Sequence, residues 1–295
     1  MSAIAAPPEV RQRTRAKARV LLEALPFIEE HAGTIVVVKV GGAAMEDPAL
    51  AESFARDIAL LRLVGIRPVV VHGGGPQVTA MSRRLGIEPT FFNGHRVTDA
   101  DTLQVARMVL VGLVNQDLVS LLVRHGTQAV GLSGHDGGLL RVRPRHPDLG
   151  LVGDVESVNV DLLRHLMERS VPVIASIGVD AAGQSFNVNA DLVAGAVASA
   201  CRARKLVYLS DVPGLLGPDR ELISELGLSA CQALVSGGVA DGGMIPKLES
   251  AMTAMEAGVR RVHVIDGRVE HALILELFTP EGFGTMLTHN VERAP

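Results

Sequence analysis

Short, wholly apolar runs alternate along this chain with longer stretches in which apolar residues return every three or four positions. "TIVVVKV" (34–40) and "RPVVVH" (67–72) show no polar alternation, the pattern of strands covered on both faces. Between them Leu50, Phe54, Ile58 and Leu61 recur at helical intervals and Gly65 supplies a stop, so this stretch reads as one βαβ unit. Similar Val/Ile runs bounded by glycine or turn residues recur at "QAVGLSG", "VPVIASIG", "KLVYLSD" and "RRVHVID". Helical periodicity covers 76–86, 99–125, 158–169, 189–203 and 246–257. This order predicts an α/β fold with a mainly parallel sheet and helices on both faces. Leu21, Leu25 and Ile28 fall on one face of an amphipathic helix ahead of the first strand, with Pro26 as a point of bending. "SGHDGGLLRVRPRHPDLGLVGDVES" (133–157) mixes turn residues with short apolar strings and reads as a β-hairpin excursion.

Composition and charge narrow the functions. Lys+Arg 28 against Asp+Glu 32 gives a net charge of −4, so the chain has no cationic excess to attract a phosphate backbone, and nucleic acid is not an expected partner. Cys201 and Cys231 stand alone, without disulfide or Cys-x-x-Cys spacing, which fits a reducing cytoplasm. The most apolar stretch, "VARMVLVGLVNQDLVSLLV", is broken by Asn115, Gln116 and Asp117 and reads as a buried helix rather than a membrane span. The arginines between residues 11 and 19 precede a run holding Glu23 and Pro26, unlike a secretory signal.

The chemistry gathers where strands end, the place where open parallel sheets bind ligands. "VVVKVGGAAM" puts Lys39 inside an apolar strand and Gly41-Gly42 after it; "VVVHGGGPQV" ends a second strand in Gly73, Gly74 and Gly75; "VYLSDVPGLL" ends a third in Ser210-Asp211. A lysine in so apolar a strand must be paired or aimed at an anion, because an isolated buried ammonium is heavily penalised. Glycines expose amide N–H groups and permit φ > 0, so the second turn either packs tightly or cradles an anion. There is no G-x-x-x-x-G-K-[ST], and Val78 occupies the third glycine position of G-x-G-x-x-G. "SFNVNADLVAGAVA" sets Asn187, Asn189 and Asp191 before a helix, where Asn189 suits an N-cap and Asp191 the helix dipole. "DGGMIPKLESAM" places Lys247 in a first helical turn, and "NGHRVTDADT" offers Arg96 as a fork for a carboxylate, just before Thr98 or Asp99 as a cap.

Taken in order, "KVGGAAM", "VVVHGGGPQV", "GHRVTDADT", "FNVNADLVA", "LSDVPGLL", "GGMIPKLESA" and "HVIDGRVEHALILELFTPEGFGT" resemble the amino acid kinases across nearly the whole chain, and within them the arginine-sensitive acetylglutamate kinases of arginine biosynthesis. The resemblance implies a three-layer αβα sandwich and transfer of a phosphoryl group from ATP, with Mg²⁺ carried on the nucleotide, to the γ-carboxylate of N-acetyl-L-glutamate. It implies that Lys39 and Lys247 flank the moving group while Asp191 holds them in place. Gly74, Gly75, Arg96, Asn187 and Asn189 would meet the acceptor, and Gly42, Asp211, Gly214, Gly242 and Met244 the phosphates and nucleotide. His263, Glu276 and Gly282 match positions for arginine as a feedback inhibitor. The first 33 residues resemble the extension that joins dimers into a hexameric trimer of dimers. The kinase domain would follow over 34–295, with an acceptor lobe over about 34–180 and a nucleotide lobe over about 181–295. Two departures stand out: the 141–150 segment is short for the family, and His135 replaces an expected lysine or glutamate.

Other readings remain. "HGGG" also builds oxyanion holes in esterases, but no G-x-S-x-G elbow exists, since His135 takes the place of the second glycine after Ser133. A kinase for an aminoadipate-type acyl amino acid, or a non-catalytic arginine sensor, would share most of these motifs.

Overall fold

A computed structural model describes residues 8–41, 45–92, 94–217, 219–236, 244–280 and 282–289. In chain order the strands are β1 (Ile35–Val40), β2 (Arg67–His72), β3 (Phe91–Phe92), β4 (His95–Arg96), β5 (Ala129–Leu132), β6 (Leu140–Pro144), β7 (Gly153–Val158), β8 (Val171–Ala175), β9 (Ile177–Val179), β10 (Ser185–Asn187), β11 (Lys205–Ser210), β12 (Glu225–Gly227), β13 (Arg261–Asp266) and β14 (Thr285–Thr288). The α-helices are α1 (Pro8–His31), α2 (Pro48–Leu63), α3 (Gly75–Arg84), α4 (Ala100–Arg107), α5 (Asn115–Arg124), α6 (Val160–Met167), α7 (Ala190–Cys201), α8 (Leu228–Ser236), α9 (Met244–Glu256) and α10 (Ala272–Phe278). A π-helical turn, Met108–Val114, joins α4 to α5.

The apolar runs form the middle of an eight-stranded sheet ordered β12-β14-β13-β11-β1-β2-β8-β5. Every pair in it is parallel except β13 with β14. Alternate residues of one strand feed two cores. Val37, Val69, Val71 and Tyr208 pack with α6, α7 and α9 on one face, while Val36, Val38, Val40 and Val70 pack with α2, α5 and α10 on the other. The α/β expectation with helices on both faces therefore holds, and the two-sided burial explains why these strands carry no polar alternation.

The 133–157 excursion is the hairpin expected of it: β6 and β7 pair antiparallel and join β9 and β10 in a second, four-stranded sheet. Isolated bridges tie it back at Thr98–Gly150 and Val152–Asn187, which draws the hairpin over the carboxyl end of the main sheet. The stretch 99–125 is one helical rod as expected, from Ala100 to Arg124, but with the π turn inside it. It is long and apolar enough to cross a membrane by length and composition, and 50% of its most apolar window is buried inside the fold.

The helix expected ahead of β1 is present, and its apolar residues divide between core and surface. Ala24, Phe27 and Ile28 pack on the core, whereas Leu21 and Leu25 are exposed at 73% and 44%, together with Val20 and Leu22. An i, i+4, i+7 spacing that included Leu21 and Leu25 selected a stripe adjacent to the one the fold covers. Pro26 lies inside the helix.

Candidate active site

Lys39 projects from β1 on the same face as Val37, with Tyr208 of β11 beside it in register. Its Nζ lies 2.9 Å from Asp191 Oδ1, while Lys247 Nζ of α9 lies 3.3 Å from Asp191 Oδ2. The three side chains are 11%, 8% and 12% exposed for Lys39, Asp191 and Lys247, so one carboxylate is shared by two desolvated ammonium groups. Burial alone would raise the Asp191 carboxyl, but the two ammonium groups outweigh it and hold the acid below its ordinary value. The triad carries one net positive charge, which is a poised site for an anion.

What fixes Asp191 is local. Asn189 caps α7, its side-chain oxygen accepting from the N–H groups of Asp191 (2.8 Å) and Leu192 (3.4 Å). The cap expected of Asn189 is therefore present, and Asp191 serves the two lysines besides the helix terminus. Ser250 of α9 donates to the Asp191 carbonyl at 2.6 Å and accepts from the Tyr208 hydroxyl at 2.8 Å. These helices can approach because Gly195 carries no side chain; a Cβ there would lie 2.1 Å from Ser250 Oγ. Tyr208, Ser250 and Gly195 had no distinguishing signal in the sequence, because each reads as an ordinary strand or small helix residue.

A cavity of about 250 Å³ opens beside Lys39 and Asp191, lined by Gly73–Gly75, Arg96, Asn187 and Asn189 together with an apolar wall. The glycine turn behaves differently from one reason given for it. None of Gly73, Gly74 and Gly75 has φ in the left-handed region; Gly74 is extended at φ 169 and is the N-cap of α3. The need is for close approach, since a Cβ on Gly74 would lie 2.7 Å from Leu110 Cδ2 of the π turn. Arg96 donates through Nη2 to Gly75 O (3.1 Å) and Thr79 Oγ1 (2.7 Å), while Nη1 is buried without a partner among the described residues. The guanidinium also sits 5.0 Å from the Phe91 ring centre, so its plane is held while one edge is left for a ligand. Asn187 donates to Thr98 Oγ1 at 3.2 Å, and Asp99, not Thr98, caps α4.

The residues expected at the nucleotide are more scattered. Asp211 is exposed after β11, Gly214 is buried with its Cα facing Thr285, and Met244 opens α9; none of the three lines the 250 Å³ cavity. Gly42 and Gly242 lie outside the described residues. Ser133 donates to Asp136, and His135 Nε2 is hydrogen-bonded to Ser185 Oγ, so neither forms the nucleophile arrangement of an esterase.

His263, Glu276 and Gly282 meet in a separate cavity of about 280 Å³, which also contains Lys205, Glu30 and His31. His263 Nδ1 makes a short contact with Glu276 Oε1, and Glu276 Oε2 accepts from Phe283 N at 2.5 Å. Burial disfavours the charged forms of both partners, yet Glu276 is held below its ordinary value by His263, while burial keeps His263 neutral. Burial pushes Lys205 down to about 8 and His31 to about 4. Sequence reasoning missed Lys205, Glu30 and His31 here. An apolar pattern does not reveal that the end of α1 folds over the start of β11.

This geometry, a strand lysine and a helix lysine sharing one acid beside a glycine turn on a parallel sheet, is accompanied by a match of residues 34–266 to the amino acid kinase family. The chain belongs to that family and is a kinase that uses ATP. Acetylglutamate kinases from Synechococcus sp. and Symbiobacterium thermophilum are each 50% identical to it, over 92% of both chains for the first and over 94% of this chain and 99% of the relative for the second. Among solved structures, N-acetylglutamate synthase from Neisseria gonorrhoeae complexed with coenzyme A and N-acetyl-glutamate superposes with a TM-score of 0.84 at 29% identity. The superposition takes in 93% of this chain but 64% of that one. The same synthase complexed with coenzyme A and L-arginine gives 0.80 at 26%, with 92% and 65% covered. Carbamate kinase from Giardia, at 0.66 and 17% identity, shares the fold.

Proposed function

We propose that the protein transfers the γ-phosphoryl group of ATP to the γ-carboxylate of N-acetyl-L-glutamate, the acylated amino acid named in its 50%-identical relatives. The observation that carries this reading is the Lys39–Asp191–Lys247 triad beside a cavity whose far wall offers an unpaired Arg96 nitrogen. Arg96 Nη1 receives the α-carboxylate, with Asn187 and Asn189 beside it, and the glycine turn and Lys39 meet the γ-carboxylate. Phosphoryl transfer demands positioning and cations on charge that spreads over the equatorial oxygens, with little covalent work by the protein. Two ammonium groups held by one acid supply that, and Asp191 costs them no freedom at the moment of transfer. Because both Asp191 oxygens are taken by ammonium groups, the acid is not free to ligate a metal; Mg²⁺ would arrive on the nucleotide phosphates, screening their charge. The acceptor lies mainly on the lobe over about 34–180, met by Asn187 and Asn189 from the lobe over about 181–295, which holds the nucleotide near Asp211, Gly214 and Met244. Both cysteines are free and buried, with burial raising their thiols to about 11, and a cytoplasmic enzyme needs no more protection.

The second cavity is read as the place where arginine inhibits, with Glu276 for the guanidinium and Lys205 for the carboxylate. The exposed Val20, Leu21, Leu22 and Leu25 on α1 are read as the face that joins dimers into a ring. A coupled ADP-release assay with N-acetyl-L-glutamate, glutamate, aspartate and UMP, with and without arginine, tests both readings. Release confined to the acetylated acceptor supports the assignment; equal or greater release with another acceptor overturns it.

A further inference from the structure

His72 ends β2 one residue before the glycine turn, and it is completely buried. Its two ring nitrogens make two different bonds. Nδ1 lies 2.9 Å from Gly73 O, and Nε2 lies 2.9 Å from Nδ2 of Asn115, itself 1% exposed. Asn115 Nδ2 also donates to Val173 O of β8 at 2.9 Å, which sets the orientation of the amide. A donor amide at Nε2 and an acceptor carbonyl at Nδ1 are compatible with one form only, the neutral Nδ1–H tautomer. Burial favours that form too, lowering the imidazole to about 4.

The bond to Gly73 O has a geometric consequence, because the peptide plane places that carbonyl and the Gly74 N–H on opposite sides. With the carbonyl held toward the imidazole, the amide is turned the other way, and no protein acceptor takes it among the described hydrogen bonds. The π turn completes the device: it brings Leu110 and Val114 against Gly74 while turning Asn115, the next residue, toward His72. A regular α-helix through the same residues would not present both sides in this register. Asn115 in turn requires Gly131, where a Cβ would lie 2.0 Å from its Oδ1.

Resting on the kinase reading above, we infer that His72, braced by Asn115, is a positioning residue: it holds the Gly73–Gly74 peptide so that the Gly74 N–H faces the acceptor's γ-carboxylate, the group to which the phosphoryl is transferred. Two isosteric variants separate this from simple packing. His72→Asn retains a donor where Nδ1 stood and so retains the Gly73 bond; His72→Gln retains the contact with Asn115 and loses the Gly73 bond. We expect His72→Gln to lose about tenfold or more in kcat, the scale of a misplaced catalytic group, with KM for ATP little changed. His72→Asn should stay within about threefold of the parent in kcat, although both variants lose similar heat stability. Equal kcat in the two variants, or losses that follow melting temperature, would overturn the inference. Nitrogen-15 NMR of the histidine-labelled parent chain provides a readout independent of turnover: a neutral Nδ1–H imidazole at pH 6 for His72 is expected, and an Nε2–H or charged ring overturns the tether even if the chain proves to use another acceptor.

Discussion

Replacing Asp191 by Asn tests the triad most directly, because it removes charge while keeping shape. Asn189 remains as the α7 cap, and its bonds to the backbone of residues 191 and 192 do not involve the substituted side chain. If Asp191 served only the helix dipole, its loss would cost about 0.3–1 kcal/mol. The structure demands more. Two ammonium groups, 11% and 12% exposed, would lose the carboxylate they share, and removing one member of a buried ion pair costs about 3–5 kcal/mol. For a chain of this size each kcal/mol moves the melting temperature by roughly 2–4 °C, so the two accounts are separable in a thermal scan at fixed protein concentration. Steady-state ADP release should fall by about 10² or more, as when one preorganised donor is removed. A loss below about 1 kcal/mol would refute the triad as a buried charge system.

Lys39→Met and Lys247→Met should each lower kcat by about 10² or more, and near-parental turnover in both would remove them from the reaction. His72, neutral in the fold at about 4 against an ordinary 6.5, makes the unfolded state bind more protons between those values. Stability should therefore fall by roughly 1.4 kcal/mol per pH unit as pH drops from 6.5 toward 4, and chemical denaturation of His72→Gln should show a flatter profile. Gly74→Ala should drive Leu110 into the cavity and raise KM for the acceptor, with little change in far-UV circular dichroism; an unchanged KM would show that Leu110 yields elsewhere. Glu276→Gln should weaken arginine inhibition without altering uninhibited turnover, and deletion of residues 1–30 should convert a ring to dimers by light scattering; an intact chain already dimeric would end the ring assignment.

The parts legible in the sequence were those written locally. β1, β2, β8, β11 and β13 each announce themselves as short runs dominated by Val, Ile and Leu, and the hairpin at 133–157 by its turn residues. Lys39 was conspicuous because an ammonium within "IVVVKV" has no cheap explanation. That it meets Asp191 and Lys247 follows from the crossing of β1, α7 and α9, which no single window contains; only the order of family motifs pointed there. Strands of three or four residues such as β9, β10, β12 and β14 are too short to show a period. The π turn hides for the opposite reason: one wide turn inside an apolar helix leaves the surrounding 3.6-residue rhythm nearly intact. For α1, spacing identifies an apolar stripe, and only packing says that Phe27 and Ile28 are covered by the fold while Leu21 and Leu25 are not.

Gly195 never meets a ligand, bears no charge and lies midway along its helix, yet its missing methyl group is what lets Ser250 reach the Asp191 carbonyl. The two helices thus form a strut, and the separation between the acid and Lys247 is machined by a hydrogen atom on the strut's inner face. A single added carbon there would push Ser250 away from the Asp191 carbonyl and so disturb the acid that both lysines share.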